Sequence, residues 1–137
     1  MKNKNNIVLD TSTLISAFLF KNSLPYKTLK KAEEEFIIIQ SEYTTAELLE
    51  VIYRKKFDKY LTDEERVKYL SDFLSTTQKI NPIHSVENSC KDPKDIPFLE
   101  LAHTAKAKFI ISSDKDLLEL NPFNKIKILT PAEFINL

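Results

Sequence analysis

Short apolar runs bounded by polar residues set the rhythm of this chain. Four of them predict strands, over residues 6–10, 36–40, 109–112 and 126–129. A weaker fifth run covers residues 79–83, where Pro82 confines it to a sheet edge. Helical spacing fills the intervals. Leu14, Ile15, Phe18 and Leu19 form one stripe, and Leu29, Ala32 and Phe36 another, in a segment that Pro25 can open. Leu48, Leu49 and Ile52 follow Thr44, and Val67, Leu70 and Leu74 follow the capping-box sequence Thr62-Asp63-Glu64-Glu65. Phe98, Leu101, Ala102 and Ala105 predict a helix leading into the strand at Phe109. Leu117, Leu118 and Leu120 predict a short helix, and residues 131–135 a terminal one.

Strands alternating with helices imply right-handed crossovers and an α/β fold with a mostly parallel sheet of about five strands. Residues 44–77 read as an insertion of two or three helices between strands two and three. No repeat, low-complexity stretch or linker interrupts the 137 residues, which suggests a single domain over residues 1–137. A chain of this size buries roughly 70% of its unfolded surface, enough for a core without staples.

Composition narrows the chemistry. Glycine is absent, so the phosphate-cradling loops of P-loop and dinucleotide-binding folds have no residue to build them. Left-handed positions fall to Asn, Asp or Ser. Cys90 is the single cysteine, which excludes an intramolecular disulfide and suits a reducing compartment. No apolar run approaches the roughly 18 residues of a membrane span, and no secretory core follows Met1, so a cytoplasmic protein is expected. Acids and bases balance at 20 each. The local run Arg54-Lys55-Lys56, with Lys59 behind it, offers phosphate contacts, as does Lys115, although a solvated helix end accounts for the run more readily. His84 and His103 lack the spacing of a zinc site, and Cys90 lacks a nucleophile's surroundings.

Four acids sit where a pocket can gather them. Asp10 ends the first strand run and Asp114 the third. Asp95 precedes a helix opening near Pro97, and Glu47 follows Thr44 by three residues. Each fits a capping role taken singly, with Thr44 and Glu47 as a capping box. The turn between a strand and the next helix is both a cap position and the rim of the ligand crevice of an open α/β sheet. Carboxylates collected at that rim repel one another unless a hard divalent cation lies between them. Ser112 and Ser113, beside Asp114, suit either turn formation or holding a carboxylate in place.

The residues 8–16, Val8-Leu9-Asp10-Thr11-Ser12-Thr13-Leu14-Ile15-Ser16, resemble the opening of PIN-domain proteins. Ala46-Glu47-Leu48-Leu49-Glu50-Val51-Ile52, with Lys56-Phe57 behind it, is a second match. Asp92-Pro93-Lys94-Asp95-Ile96-Pro97-Phe98-Leu99-Glu100-Leu101-Ala102 is a third, and Phe109-Ile110-Ile111-Ser112-Ser113-Asp114-Lys115-Asp116-Leu117-Leu118 a fourth. The four occur in family order and span nearly the whole chain. They are similar to the toxin components of VapBC-like toxin–antitoxin systems.

That resemblance implies a three-layer α/β/α fold and a Mg²⁺- or Mn²⁺-dependent ribonuclease. It implies an acidic tetrad of Asp10, Glu47, Asp95 and Asp114, with Asp92 and Asp116 as accessory acids, all six being candidate metal ligands. It also implies an RNA substrate, an antitoxin laid across the pocket and a homodimer; Tyr53, Tyr60 and Tyr69 are candidates for such contacts, or for the core. Ser12 stands where the family commonly has Asn, and Ser113 where it commonly has Gly, which asks for an unusual backbone conformation or a different turn. Two other readings compete: a catalytically silent PIN-like module that binds RNA or protein, and a receiver-like phosphoacceptor domain. The latter wants an acidic pair after the first strand, and Asp10 has no acidic neighbour.

Overall fold

Ile7, Val8 and Leu9 are fully buried, as a strand covered on both faces must be. They belong to β1 (Asn6–Leu9), the middle strand of a sheet in a computed structural model that describes residues 3–83 and 92–137. β2 (Ile37–Gln40), β3 (Thr77–Lys79), β4 (Phe109–Ile111) and β5 (Lys127–Leu129) complete it in the order β3-β2-β1-β4-β5. Every pairing is parallel. This differs from the 2-1-3-4-5 order of a receiver-like fold. His84 and Cys90 lie outside the described residues.

Side-chain alternation divides the core into two layers. Ile7, Leu9, Ile38, Phe109, Ile111 and Leu129 face one side. There they meet α1 (Thr11–Leu19), α2 (Leu24–Glu35), α3 (Glu42–Ile52), α4 (Asp63–Ser75) and α7 (Pro131–Ile135). Val8, Ile39, Ile110 and Ile128 face the other side, against α5 (Ile96–Thr104) and α6 (Lys115–Leu118). The result is the expected three-layer α/β/α arrangement. Fully burying each large aliphatic contributes about 1.5–3 kcal/mol, so β1, which supplies both layers, anchors them.

The helical insertion between β2 and β3 consists of α3, a 3₁₀ turn at Lys55–Phe57 and α4. Thr62 and Glu65 form the expected capping box at the start of α4. The buried stripe of α4 is Arg66, Leu70 and Phe73, while Val67 is exposed. Arg66 stands on the core-facing stripe because its guanidinium replaces missing backbone partners. It donates to the carbonyls of Ile52 at 2.7 Å and Leu61 at 3.2 Å, and to Asp58 Oδ1 at 2.9 Å and Asp63 Oδ1 at 3.2 Å. One side chain thus ties the end of α3 to the loop and to α4.

Several local expectations shift. The edge strand lies at Thr77–Lys79 rather than at residues 79–83, so Pro82 falls beyond it and Ile80 makes the last ladder bond, to Gln40. Leu49 is exposed, and Thr44, Leu48 and Ile52 are the buried positions of α3. Among the described residues the left-handed positions are Asn22, Lys106, Asn124 and Lys125, so lysine takes two places expected to fall to Asn, Asp or Ser. Ser113 is not among them, so serine at that position requires no strained backbone.

Replacing Arg66 with alanine is expected to lower unfolding stability by about 2–5 kcal/mol, because buried carbonyls lose their donor. Urea denaturation checks this, and a change under about 0.5 kcal/mol, the size of an ordinary surface substitution, would remove Arg66 from that role.

Candidate metal centre

The sheet order reverses between β1 and β4, and the crevice of a doubly wound sheet opens at such a point. β1 ends at Leu9, and the backbone N–H of Asp10 still donates to the carbonyl of Ile111 on β4 at 3.0 Å. The two strands therefore end side by side, and the residues that succeed them in the chain are brought together. Ser112, fully buried, succeeds β4; its hydroxyl donates to Asp10 Oδ2 at 2.5 Å and accepts the backbone N–H of Asp114 at 2.9 Å. A single hydroxyl links the acids at the ends of two strands.

Asp10 is both cap and site residue. Its Oδ1 accepts the N–H of Thr13 at 2.9 Å, capping α1, and the hydroxyl of Ser12 at 3.3 Å. Burial raises its pKa from the ordinary range, and the donors Ser112, Thr13 and Ser12 pull the other way. Asp114 caps α6 through the N–H of Asp116 at 3.0 Å.

Capping does not account for the other two. Asp95 lies at the N-cap position of α5, but its side chain makes no capping bond. Glu47 is not in a Thr44 capping box: Ser41 is the N-cap of α3 and Thr44 is its N3 partner, which puts Glu47 one turn further along rather than in the first turn. Burial pushes the Glu47 carboxyl up, and the charge of Asp10 adds to this; Thr11, Lys94 and Arg54 oppose it. Glu47 Oε2 and Asp95 Oδ2 are buried with no hydrogen-bond partner among the described residues.

Asp92, Asp95 and Asp114 each bring a carboxylate oxygen within 4.8 Å of the other two. Asp92 also caps the 3₁₀ turn at Pro93–Asp95, accepting the N–H of Lys94 at 3.0 Å, which curls the chain so that both acids face one place. Asp95 is pushed up to about 7, by burial first, then by Asp114, with Asp92 and Asp10 adding to it. Asp10 adjoins this trio electrostatically and Glu47 adjoins Asp10 in turn, while neither they nor Asp116 belong to it. The residues fit a hard divalent cation: the donors are all carboxylate oxygens, they crowd at ligand-sharing distance, and one buried oxygen lacks any donor among the described residues.

Of the other candidates, Arg54 pairs with Glu50 at 2.9 Å, whereas Lys55 and Lys56 are exposed without a carboxylate partner among the described residues. Tyr53 and Tyr60 are exposed, the latter edge-on to Phe20; Tyr69 is half-buried and stacks on Phe18. Sequence reasoning passed over Lys94, whose position between Asp92 and Asp95 was the available signal.

A family model described as PIN domain matches residues 6–116. The uncharacterized protein MJ1680 of Methanocaldococcus jannaschii is 38% identical over 147 residues, covering 98% of this chain and 92% of its own length. Among solved structures, PAE2754 from Pyrobaculum aerophilum is similar at a TM-score of 0.63 and 16% identity, over 96% of this chain and 88% of that one. VapBC2 from Rickettsia felis, solved bound to a DNA fragment from their promoter, is similar at a TM-score of 0.62 and 14% identity, over 91% of this chain and 98% of that one.

The crowding has a measurable consequence. An Asp95 pKa of about 7 in the folded protein, against about 3.9 unfolded, means that folding favours the protonated form. That contribution is complete below the unfolded value and is lost as pH rises through the folded value. In chelator, the Tm of the wild type should fall between pH 5.5 and 8 more than that of Asp95→Asn. Added Mn²⁺ should raise the Tm more at pH 8 than at pH 5.5, since protons compete for the same oxygens. A Tm that ignores Mn²⁺ at both pH values would contradict the metal assignment.

Proposed function

The chain belongs to the PIN-domain family, whose members are generally nucleases, and from that premise we propose that it is a metal-dependent endoribonuclease, the toxin of a toxin–antitoxin pair. The observation that carries this reading is the gathering of Asp92, Asp95 and Asp114 at the switch point, with Asp95 Oδ2 buried and unpartnered. The similarity to VapBC2 supports the toxin half of the reading, and with it an antitoxin partner, while Tyr53, Tyr60 and Phe20 offer exposed aromatic surface for a partner or a second copy.

Asp95 and Asp114 would hold one or two Mg²⁺ or Mn²⁺ ions, with Asp92 and Asp10 completing the set directly or through water. Such an ion, when bound, supplies Lewis acidity toward a phosphodiester oxygen and lowers the pKa of water. The chain's own residues do the positioning. Ser112 and Thr13 fix the Asp10 carboxylate in one orientation, and Ser112 aligns the start of α6 so that Asp114 points inward with it. Glu47, buried beside Asp10 with one oxygen unpartnered, accepts a hydrogen bond from the attacking water and orients it. Attack by water needs no 2′-hydroxyl, and with the 3′-oxygen as leaving group the products carry a 5′-phosphate and a 3′-hydroxyl. Asp116 takes no direct part in holding the ion.

Total cellular RNA incubated with Mn²⁺, with Mg²⁺ and with chelator tests this. Cleavage is expected only with metal, and Asp95→Asn and Asp10→Asn should each lose most of it, at least about a hundredfold, while remaining folded. Folded, metal-binding protein that cleaves no RNA would point instead to a silent binding module. Lys55 and Lys56 are expected to meet phosphates: replacing both with alanine should reduce the salt slope of binding by roughly 1–2. An unchanged slope would return them to a solvated surface.

A further inference from the structure

The helices that carry Glu47 and follow Asp95 also wall a cleft of about 610 Å³ that the proposed chemistry does not use. This is the size of an ordinary small-ligand site, roughly 300–1,000 Å³. Its described walls come from three elements: Glu42 and Tyr43 in the first turn of α3, Asn81 and Pro82 after β3, and Pro97 and Glu100 on α5. We propose that this cleft binds one unpaired nucleobase of the RNA strand, stacked on Tyr43, and that it favours guanine over uracil. The substrate class rests on the ribonuclease reading; the shape and chemistry of the cleft do not.

Position ties the cleft to the site. Tyr43 and Glu47 stand four residues apart on α3, so they share one helix face with about 6 Å between Cβ atoms. Pro97 comes two residues after Asp95. A strand whose phosphate lies at the carboxylates has its neighbouring base within reach of Tyr43.

The chemistry favours a base over a phosphate. Tyr43, 56% exposed, is the most exposed aromatic among the described residues, and a stacked base would cover it. Pro82 and Pro97 add flat apolar surface. The polar groups are mainly acceptors: Glu42, held by Lys79 at 3.4 Å, and Glu100, which has no ion-pair partner among the described residues. Two carboxylates repel a phosphate but accept N–H donors. Asn81 Oδ1 already accepts the N–H of Glu42 at 3.2 Å, so its NH₂ is the group left to donate. Guanine carries N1–H and an N2 amino group on one edge, matching a carboxylate, with the O6 acceptor beside them for an amide. Uracil flanks its single N–H with two carbonyls, which face the carboxylates unfavourably.

The test is a binding measurement in the full chain carrying Asp95→Asn, so that no strand is consumed. Fluorescence anisotropy compares labelled pentanucleotides with guanine, uracil or an abasic site at each position in turn. At one position, guanine is expected to bind roughly tenfold tighter than the abasic strand, with uracil between them. Adding Tyr43→Ala should erase the difference, and Tyr43→Phe should keep it; Tyr43 is exposed, and an unchanged Tm confirms that both variants fold. Base-blind binding at every position overturns the proposal, and is what a groove for a protein partner would give. So does a preference that survives Tyr43→Ala. RNA turnover by the wild type is scored separately. Base preference without turnover would sink the ribonuclease reading and leave this site standing, whereas turnover without base preference would do the reverse.

Discussion

Everything in this molecule is arranged around β1, which is hydrogen-bonded to β2 on one edge and β4 on the other and covered on both faces. Its three apolar residues admit no polar substitute, because no position among them meets water. The first residue allowed to be polar is the one that leaves the sheet, and that residue is Asp10. The same logic ends β4 at Ile111 and leaves Ser112 to meet Asp10. The site is thus a consequence of where two adjacent buried strands run out. Parallel pairing makes both run out at the same edge.

The insertion between β2 and β3 obeys a different constraint. α3 must stop short of the core's rim and α4 must return to place β3 beside β2, which leaves carbonyls at the end of α3 and in the adjoining loop to be satisfied. Arg66 answers several of them at once with a planar fork of donors. Its charge is held by Asp58 and Asp63, both of them exposed, so the guanidinium is buried while its partners remain solvated. That arrangement keeps the desolvation cost on one ion rather than three. By fixing the end of α3 it also fixes the helix that carries Glu47 and Tyr43.

The strands and the layering were legible because apolar runs of three to five residues with alternating faces are what a sheet covered on both sides demands, and few other local structures use them. The acids at strand ends, Asp10 and Asp114, were legible for the same reason: they mark where the apolar run gives way to polar side chains. Other features were hidden by degeneracy. Ser41 and Thr44 are both good caps, and choosing the wrong one displaced Glu47 by a turn. Val67 and Arg66 differ by one position, and hydropathy alone assigns the buried place to valine; only the unsatisfied carbonyls of Ile52 and Leu61 reverse it. The trio Asp92, Asp95 and Asp114 depends on a 3₁₀ turn after Asp92 that no periodicity announces. PIN-domain resemblance supplied the order of the acids, whereas their inequality emerged only from contacts.

That inequality is the physical core of the site. Asp10 has protein donors on both oxygens, which fix its direction and offset part of the burial that raises its pKa. Asp95 has a buried oxygen with no donor and three acidic neighbours, so the fold opposes its charge. A carboxylate treated like Asp10 is aimed by its donors and can serve as a fixed wall. One treated like Asp95 gains from a cation everything the protein withholds. Asp92 and Asp114 combine the two roles, each capping a helical turn while lending an oxygen to the trio. Charge neutrality of the whole chain, 20 acids against 20 bases, conceals this local excess, because the counter-charge for Asp95 is not Arg66, Lys55 or Lys56, each engaged or solvated elsewhere. It arrives from solution, as a proton or as a cation.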